Sequence, residues 1–298
     1  MGDQAEQLRT AAREKRTESS YEKKSSFAGK SKVFTITSGK GGVGKTSLVV
    51  NLGLALTRIG YKVVVIDADL GLPNIDVMTN SFPSHNIDDV ISGTKNIREI
   101  IMEGPMGLKM VPGGSGFYDL TNLSQTKRDI LLKQLVDLEN EGDFILIDTA
   151  AGISRNVISM VEAGDEFILI TTPEPTAMTD AYSLLKVVFE RGLRKEGRVV
   201  VNLTRNPDHG QKVYSGFNRV IQQYLPEMNL NYLGDVRYDP AVSNAVHNFT
   251  PFVVSRPQSI ASTAVNRIAW RIAANSEVEE QPRQGLAGFI DRLKGKGA

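Results

Sequence analysis

Residues 38–47 read SGKGGVGKTS and place two lysines, Lys40 and Lys45, in one glycine-rich turn. From Gly39 the stretch fits G-x-x-x-x-G-K-[ST], and it lies between the β-branched run VFTITS and a helical stretch that begins near Thr46. In that setting the backbone N–H groups of Gly41, Gly42, Val43, Gly44, Lys45, Thr46 and Ser47 converge on phosphate at a helix N-terminus. Lys45 supplies a point charge for the β- and γ-phosphates of ATP, and the Thr46 hydroxyl suits Mg²⁺. This chemistry needs one lysine, so Lys40 calls for a different explanation.

Outward from the loop, short apolar runs alternate with helical segments: KVVVID, FILIDT, FILITTP, RVVVNLT and LNYLGDV follow VFTITS. Alternation of this kind predicts an α/β fold, a doubly wound, mostly parallel sheet of the P-loop NTPase type with helices on both faces. Parallel strands deliver their C-terminal residues to one sheet edge. Asp67 and Asp69 in VVVIDADLGLPN and Asp148 in FILIDTAAG are therefore expected beside the loop. Asp148, after four apolar residues, suits the Mg²⁺ side of a hydrolytic site together with Asp67 and Thr46, and Asp69 suits the orientation of an attacking water.

Composition narrows the classes. The chain has 298 residues, 41% apolar and 23% charged, and a net charge of +1, which gives no global reason to bind nucleic acid. No apolar run is long enough to span a membrane and no apolar secretory signal is present, so a cytoplasmic protein is expected. With no cysteine the chain cannot form disulfides or thiolate-held clusters, and His85, His209 and His247 lack metal-ligand spacing. Four segments are expected: a polar arm (1–32), a nucleotide-binding domain (33–274), a polar linker (275–284) and a C-terminal helix (285–298). The helix sets Leu286, Phe289, Ile290 and Leu293 on one face, flanked by Arg283, Arg292, Lys294 and Lys296. That pattern fits an anchor at an anionic membrane surface, and docking onto the core is the competing expectation.

KGGVGKT with its early lysine, DADLGLPN and IDTAAG together resemble the deviant-Walker-A ATPases of the MinD/ParA family over about residues 33–274. The resemblance implies an ATP-dependent homodimer, in which the early lysine, here Lys40, reaches the partner's phosphates and so joins Lys45 and Asp69 in catalysis. It also implies adenine contacts from Asn202 and from the loop Arg237, Tyr238, Asp239 and Pro240, and a Pro-Glu loop at the dimer seam with Glu174 and Asp180 as candidates.

DQAEQLR (3–9) resembles the element that precedes the ATPase domain in flagellar-number regulators of the FlhG (FleN, YlxH) type. By that resemblance Asp3, Gln4, Ala5, Leu8 and Arg9 contact and activate the signal-recognition-type GTPase FlhF, and flagellar switch-complex proteins are further partners. The expectation is an ATP-hydrolysing switch, reversibly bound to the inner face of the cell membrane, that helps set flagellar number and placement. Two rivals are a ParA-type partition ATPase, with Arg267 and Arg271 as a DNA patch, and a metabolic P-loop enzyme.

Overall fold

Every residue of β1 (Lys32–Thr37) is buried, with Val33 and Phe34 facing opposite cores. A strand can be apolar on both sides only where helices cover both sheet faces, and the rest of the fold follows. In this computed structural model the described residues are 30–69, 75–114, 123–192, 196–278 and 284–294. The arm motif at Asp3, Gln4, Ala5, Leu8 and Arg9 lies outside them.

Further strands are β2 (Val63–Ala68), β3 (Met102–Glu103), β4 (Lys109–Val111), β5 (Phe144–Thr149), β6 (Glu166–Thr171), β7 (Glu196–Thr204) and β8 (Asn229–Arg237). They form one sheet in the order β3-β4-β2-β5-β1-β6-β7-β8, parallel throughout except for the β3–β4 pair. β3 and β4 escape the sequence pattern because they are two and three residues long and supply an edge. β1 sits between β5 and β6. The chain therefore leaves β1 at a reversal of strand order, the place where open α/β sheets bind ligands.

The helices are α1 (Lys45–Arg58), α2 (Ile75–Met78), α3 (Ile87–Ser92), α4 (Gln125–Leu135), α5 (Arg155–Ala163), α6 (Pro175–Glu190), α7 (His209–Tyr224), α8 (Pro240–His247), α9 (Phe252–Ser255), α10 (Ile260–Val278) and α11 (Gly285–Leu293). α1 and α10 share one core with Phe34 and Ile36. On the other face, α3, α4 and α11 cover Val33, Ile145 and Ile147, and α6 and α7 cover Phe167 and Val199. Among the described residues no helix is long and apolar enough to cross a membrane.

Two expectations about the chain ends are corrected. The core begins before Val33, since Ser31 is already 2% exposed and fixed by its own hydrogen bonds, and α10 continues to Val278 into the expected linker. The C-terminal segment is docked onto the core, the expectation that competes with the membrane anchor. Leu286, Phe289 and Ile290 are buried and Leu293 is partly buried in a groove between α4, α5 and the 3₁₀ helix Val136–Asn140. The reason is that this sheet face carries an apolar surface, with Leu131, Leu135, Leu138 and Met160 among its residues, and the amphipathic stripe covers it.

Candidate functional site

The turn after β1 closes tightly. Gly42 and Gly44 have φ of 78° and 83°, in the left-handed region that glycine adopts without strain, and Gly44 is the N-cap of α1. Space excludes larger residues as well. A Cβ on Gly44 would lie 2.5 Å from Asn202 Nδ2, and one on Gly39 would lie 2.2 Å from the backbone carbonyl carbon of Asp180 in α6. Gly41 and Gly42 face open space on the outside of the turn.

The two lysines diverge. Lys45 is 6% exposed, with Nζ 2.6 Å from Asp148 Oδ1 and 3.5 Å from Asp69 Oδ2. Lys40 points outward, 40% exposed, and donates to Glu174 Oε2 at 3.3 Å and Thr176 Oγ1 at 2.9 Å at the start of α6. Thr176 lies in the first turn of α6, so its hydroxyl meets Lys40 from the start of that helix.

Asp148 is fully buried, and burial pushes its carboxyl above the ordinary range against the pull of Lys45 and Thr46. Its Oδ2 and the Ser47 hydroxyl are buried, with no hydrogen-bond partner among the described residues. Asp67 is the direct register neighbour of Asp148 across β2 and β5, and its Oδ1 accepts the Asp69 N–H at 3.1 Å. Asp67, Asp69, Asp148, Lys45 and Thr46 thus meet at one sheet edge, as the strand pattern predicts. An orphaned buried carboxylate oxygen beside a helix N-terminal loop fits a Mg²⁺–phosphate group, because Mg²⁺ is held by one or two carboxylates and otherwise by phosphate and water. Among the described residues no closed cage of three or more such ligands forms.

On the other side of the loop, Asn202 and the Arg237–Pro240 segment lie together, since β7 pairs with β8 and sets Asn202 opposite Val236 and Thr204 opposite Arg237. The Asn202 amide does structural work there. Its Nδ2 donates to the Val43 carbonyl at 2.8 Å and its Oδ1 accepts the Leu203 N–H, with Leu203 in the left-handed region at φ 57°. Asn202 therefore ties β7 to the phosphate loop.

The Asp239 side chain is engaged within the fold. One carboxylate oxygen accepts the Ala241 N–H and caps α8, and the other accepts the Ala261 N–H at the start of α10. Burial works against its charge, but these amides and the Ser259 hydroxyl hold the carboxyl below its ordinary range. Pro240 occupies the first position of α8, and Tyr238 is 62% exposed. Arg271, one of the two arginines that the rival partition-ATPase reading would use as a DNA patch, donates to the Leu233 carbonyl.

Comparisons with known proteins agree with this geometry. A family model described as ParA, NUBPL iron-transfer P-loop NTPase, matches residues 30–273. The chain is 36% identical over 266 residues to the antiactivator FleN of Pseudomonas aeruginosa, covering 88% of this chain and 92% of that protein. It is 33% identical over 298 residues to the flagellum site-determining protein YlxH of Helicobacter pylori, covering 98% of each. Among solved structures, the MinC:MinD cell division protein complex of Aquifex aeolicus aligns with a TM-score of 0.65 at 25% identity, over 85% of this chain and 98% of that one.

Proposed function

The chain belongs to the ParA/MinD family of P-loop NTPases, and from that premise we propose that it is an ATPase whose ATP-bound form pairs with a second copy of itself. The observation that carries this proposal is the divergence of the two lysines. Lys45 serves its own loop from a buried position, whereas Lys40 lies at the outer rim, where a second protomer's phosphates could meet it. Bound ATP and Mg²⁺ supply the reacting phosphates and the neutralisation of their charge. Thr46, Ser47, Asp67 and Asp148 are the groups that would hold them, with Asp69 beside Lys45 to orient water. A cation supplied in trans stabilises charge on the transferring group and so ties hydrolysis to dimerisation. Lys40 must first leave Glu174 and Thr176, and for so exposed a pair the cost is about 0.2–1 kcal/mol.

As a role, we propose regulation of flagellar number and placement, supported by likeness to FleN and YlxH and by the DQAEQLR arm. The arm would activate an FlhF-type GTPase, and flagellar switch-complex proteins would be further partners. Reversible attachment to the inner face of the cell membrane would use α11. Its apolar face is buried now, so the lipid interface competes with the core for the same four side chains. Two copies on one dimer bind a membrane with an effective concentration that a monomer lacks, and that lets the nucleotide state gate attachment. With no cysteine in its sequence, the chain has no thiolate to hold an iron–sulfur cluster.

The test is sedimentation with anionic liposomes in ATP and in ADP, alongside gel filtration in both nucleotides. Dimers and pelleting in ATP, with much less of both in ADP, are expected. Equal pelleting in both would remove the switch, and salt-sensitive retention on nonspecific DNA instead would favour a partition ATPase.

A further inference from the structure

Two carboxylates outside the nucleotide site each bridge the same two elements. Glu139, in the 3₁₀ helix Val136–Asn140, accepts the Ser31 N–H on Oε1 at 2.6 Å and the Leu286 N–H on Oε2 at 2.6 Å. Asp165, just before β6, accepts the Val33 N–H on Oδ2 at 3.0 Å and the Arg292 guanidinium on Oδ1 at 3.0 Å. Ser31 and Val33 open β1, where the N-terminal arm joins the core, and Leu286 and Arg292 lie at the two ends of α11. Each carboxylate therefore holds one end of the ATPase core's chain with one oxygen and the other end with its second.

We infer that Glu139 and Asp165 couple α11 docking to the fixing of the arm at Ser31–Val33, so that release of the C-terminal helix and loosening of the arm's root are one linked equilibrium. This rests on the proposal that α11 leaves the core for a membrane. The local chemistry supports strong coupling. The Glu139 charge meets the N-terminus of α11, where a helix favours an anion, and Gly285 permits the approach, because a Cβ there would lie 2.2 Å from Oε1. Asp165 and Arg292 are 11% and 16% exposed, so their pair is little screened, and Arg292 Nε is further fixed on the Ala163 carbonyl at 2.8 Å. With α11 gone, each carboxylate loses its α11 partner, keeps its β1 amide and can turn toward water. The β1 amides then lose oriented acceptors. Coupling between two binding events is reciprocal, so a loosened arm root must weaken α11 docking by the same factor.

Hydrogen exchange on the full chain without nucleotide tests this. Phe289→Glu places a charge in the α11 groove and should free the helix, which its own amides report. Ser31 and Val33 should then exchange faster on the order of tenfold, the scale of one charge-assisted hydrogen bond. Glu139→Gln with Asp165→Asn should remove that response, because an amide side chain cannot accept with both of its polar atoms. In the reverse direction, Ser31→Pro deletes the N–H and should speed α11 exchange by a similar factor, whereas Ser31→Ala keeps the N–H and should change it little. A chain ending at residue 283 serves as the second undocked form. Unchanged exchange at Ser31 and Val33 in either undocked form overturns the coupling. The membrane proposal is read separately, from pelleting of the wild-type chain with liposomes, so its failure would leave the exchange result standing as a core property.

Discussion

Lys45 and Asp148 form a buried ion pair, Nζ to Oδ1 at 2.6 Å, with the lysine 6% exposed and the aspartate inaccessible to solvent. The residue expected to receive phosphate and a residue expected to face Mg²⁺ are thus paired with each other. Desolvation makes that pair costly to break from one side. Lys45→Met should therefore destabilise the protein by on the order of 3 kcal/mol in urea unfolding, apart from any loss of nucleotide binding. Adding Asp148→Asn should recover most of that loss. If the double variant is no more stable than the single one, the pair is not what couples these residues.

Lys40→Ala should leave monomeric nucleotide binding within a few-fold of wild type, since Lys45 and the loop amides remain, while ATP-dependent dimers and hydrolysis disappear. Fluorescent-nucleotide titration and gel filtration in ATP read the two effects independently. A large loss of binding itself would place Lys40 in its own protomer's phosphate site.

Asp69 touches Lys45 only at 3.5 Å and is expected to orient water rather than to hold phosphate. Asp69→Ala should slow hydrolysis by at least about a hundredfold, the lower range for a positioned acid–base group, and accumulate ATP dimers. A variant that remains monomeric in saturating ATP would rule out that role.

Asp239 makes stability depend on acid. Its carboxyl is held below the ordinary 3.8 in the folded chain, so its contribution is complete at pH well above that value. It is lost as pH falls from the unfolded value through the lower folded one. Asp239→Asn should cost about 1 kcal/mol at pH 7, through a weaker cap on α8 and α10, and should flatten the stability profile below about pH 5. Parallel profiles for the two proteins in acid denaturation would show that the cap does not titrate.

Removing residues 284–298 should uncover the groove that Leu286, Phe289 and Ile290 fill, at roughly 1.5–3 kcal/mol of burial for each side chain. Ordering of the helix offsets part of that sum. A melting point lower by several degrees, increased dye binding to exposed apolar surface, intact nucleotide binding and no pelleting with liposomes are expected together. Pelleting equal to that of the intact chain would locate the anchor elsewhere.

Local pattern was enough to determine the phosphate loop, the strands β1, β2, β5, β6, β7 and β8, and the meeting of Asp67, Asp69 and Asp148 at one edge. Each of these depends on periodicity or on residues a few positions apart, and a parallel sheet brings all of its strand ends to one side. Tertiary structure alone decided the rest. β3 and β4 are too short to show a period and exist because β2 offers β4 an edge and β4 in turn pairs with β3. Asn202 and Asp239 have the residue types of ligand contacts, but their side chains are engaged by Val43, Ala241 and Ala261, which only folding brings near. For α11 the amphipathic stripe specified that an apolar surface must cover it, not which one. The hydrophobic effect is non-directional. The groove that wins is assembled from segments more than a hundred residues away, and Glu139, which fixes the helix there, stands 147 positions before Leu286.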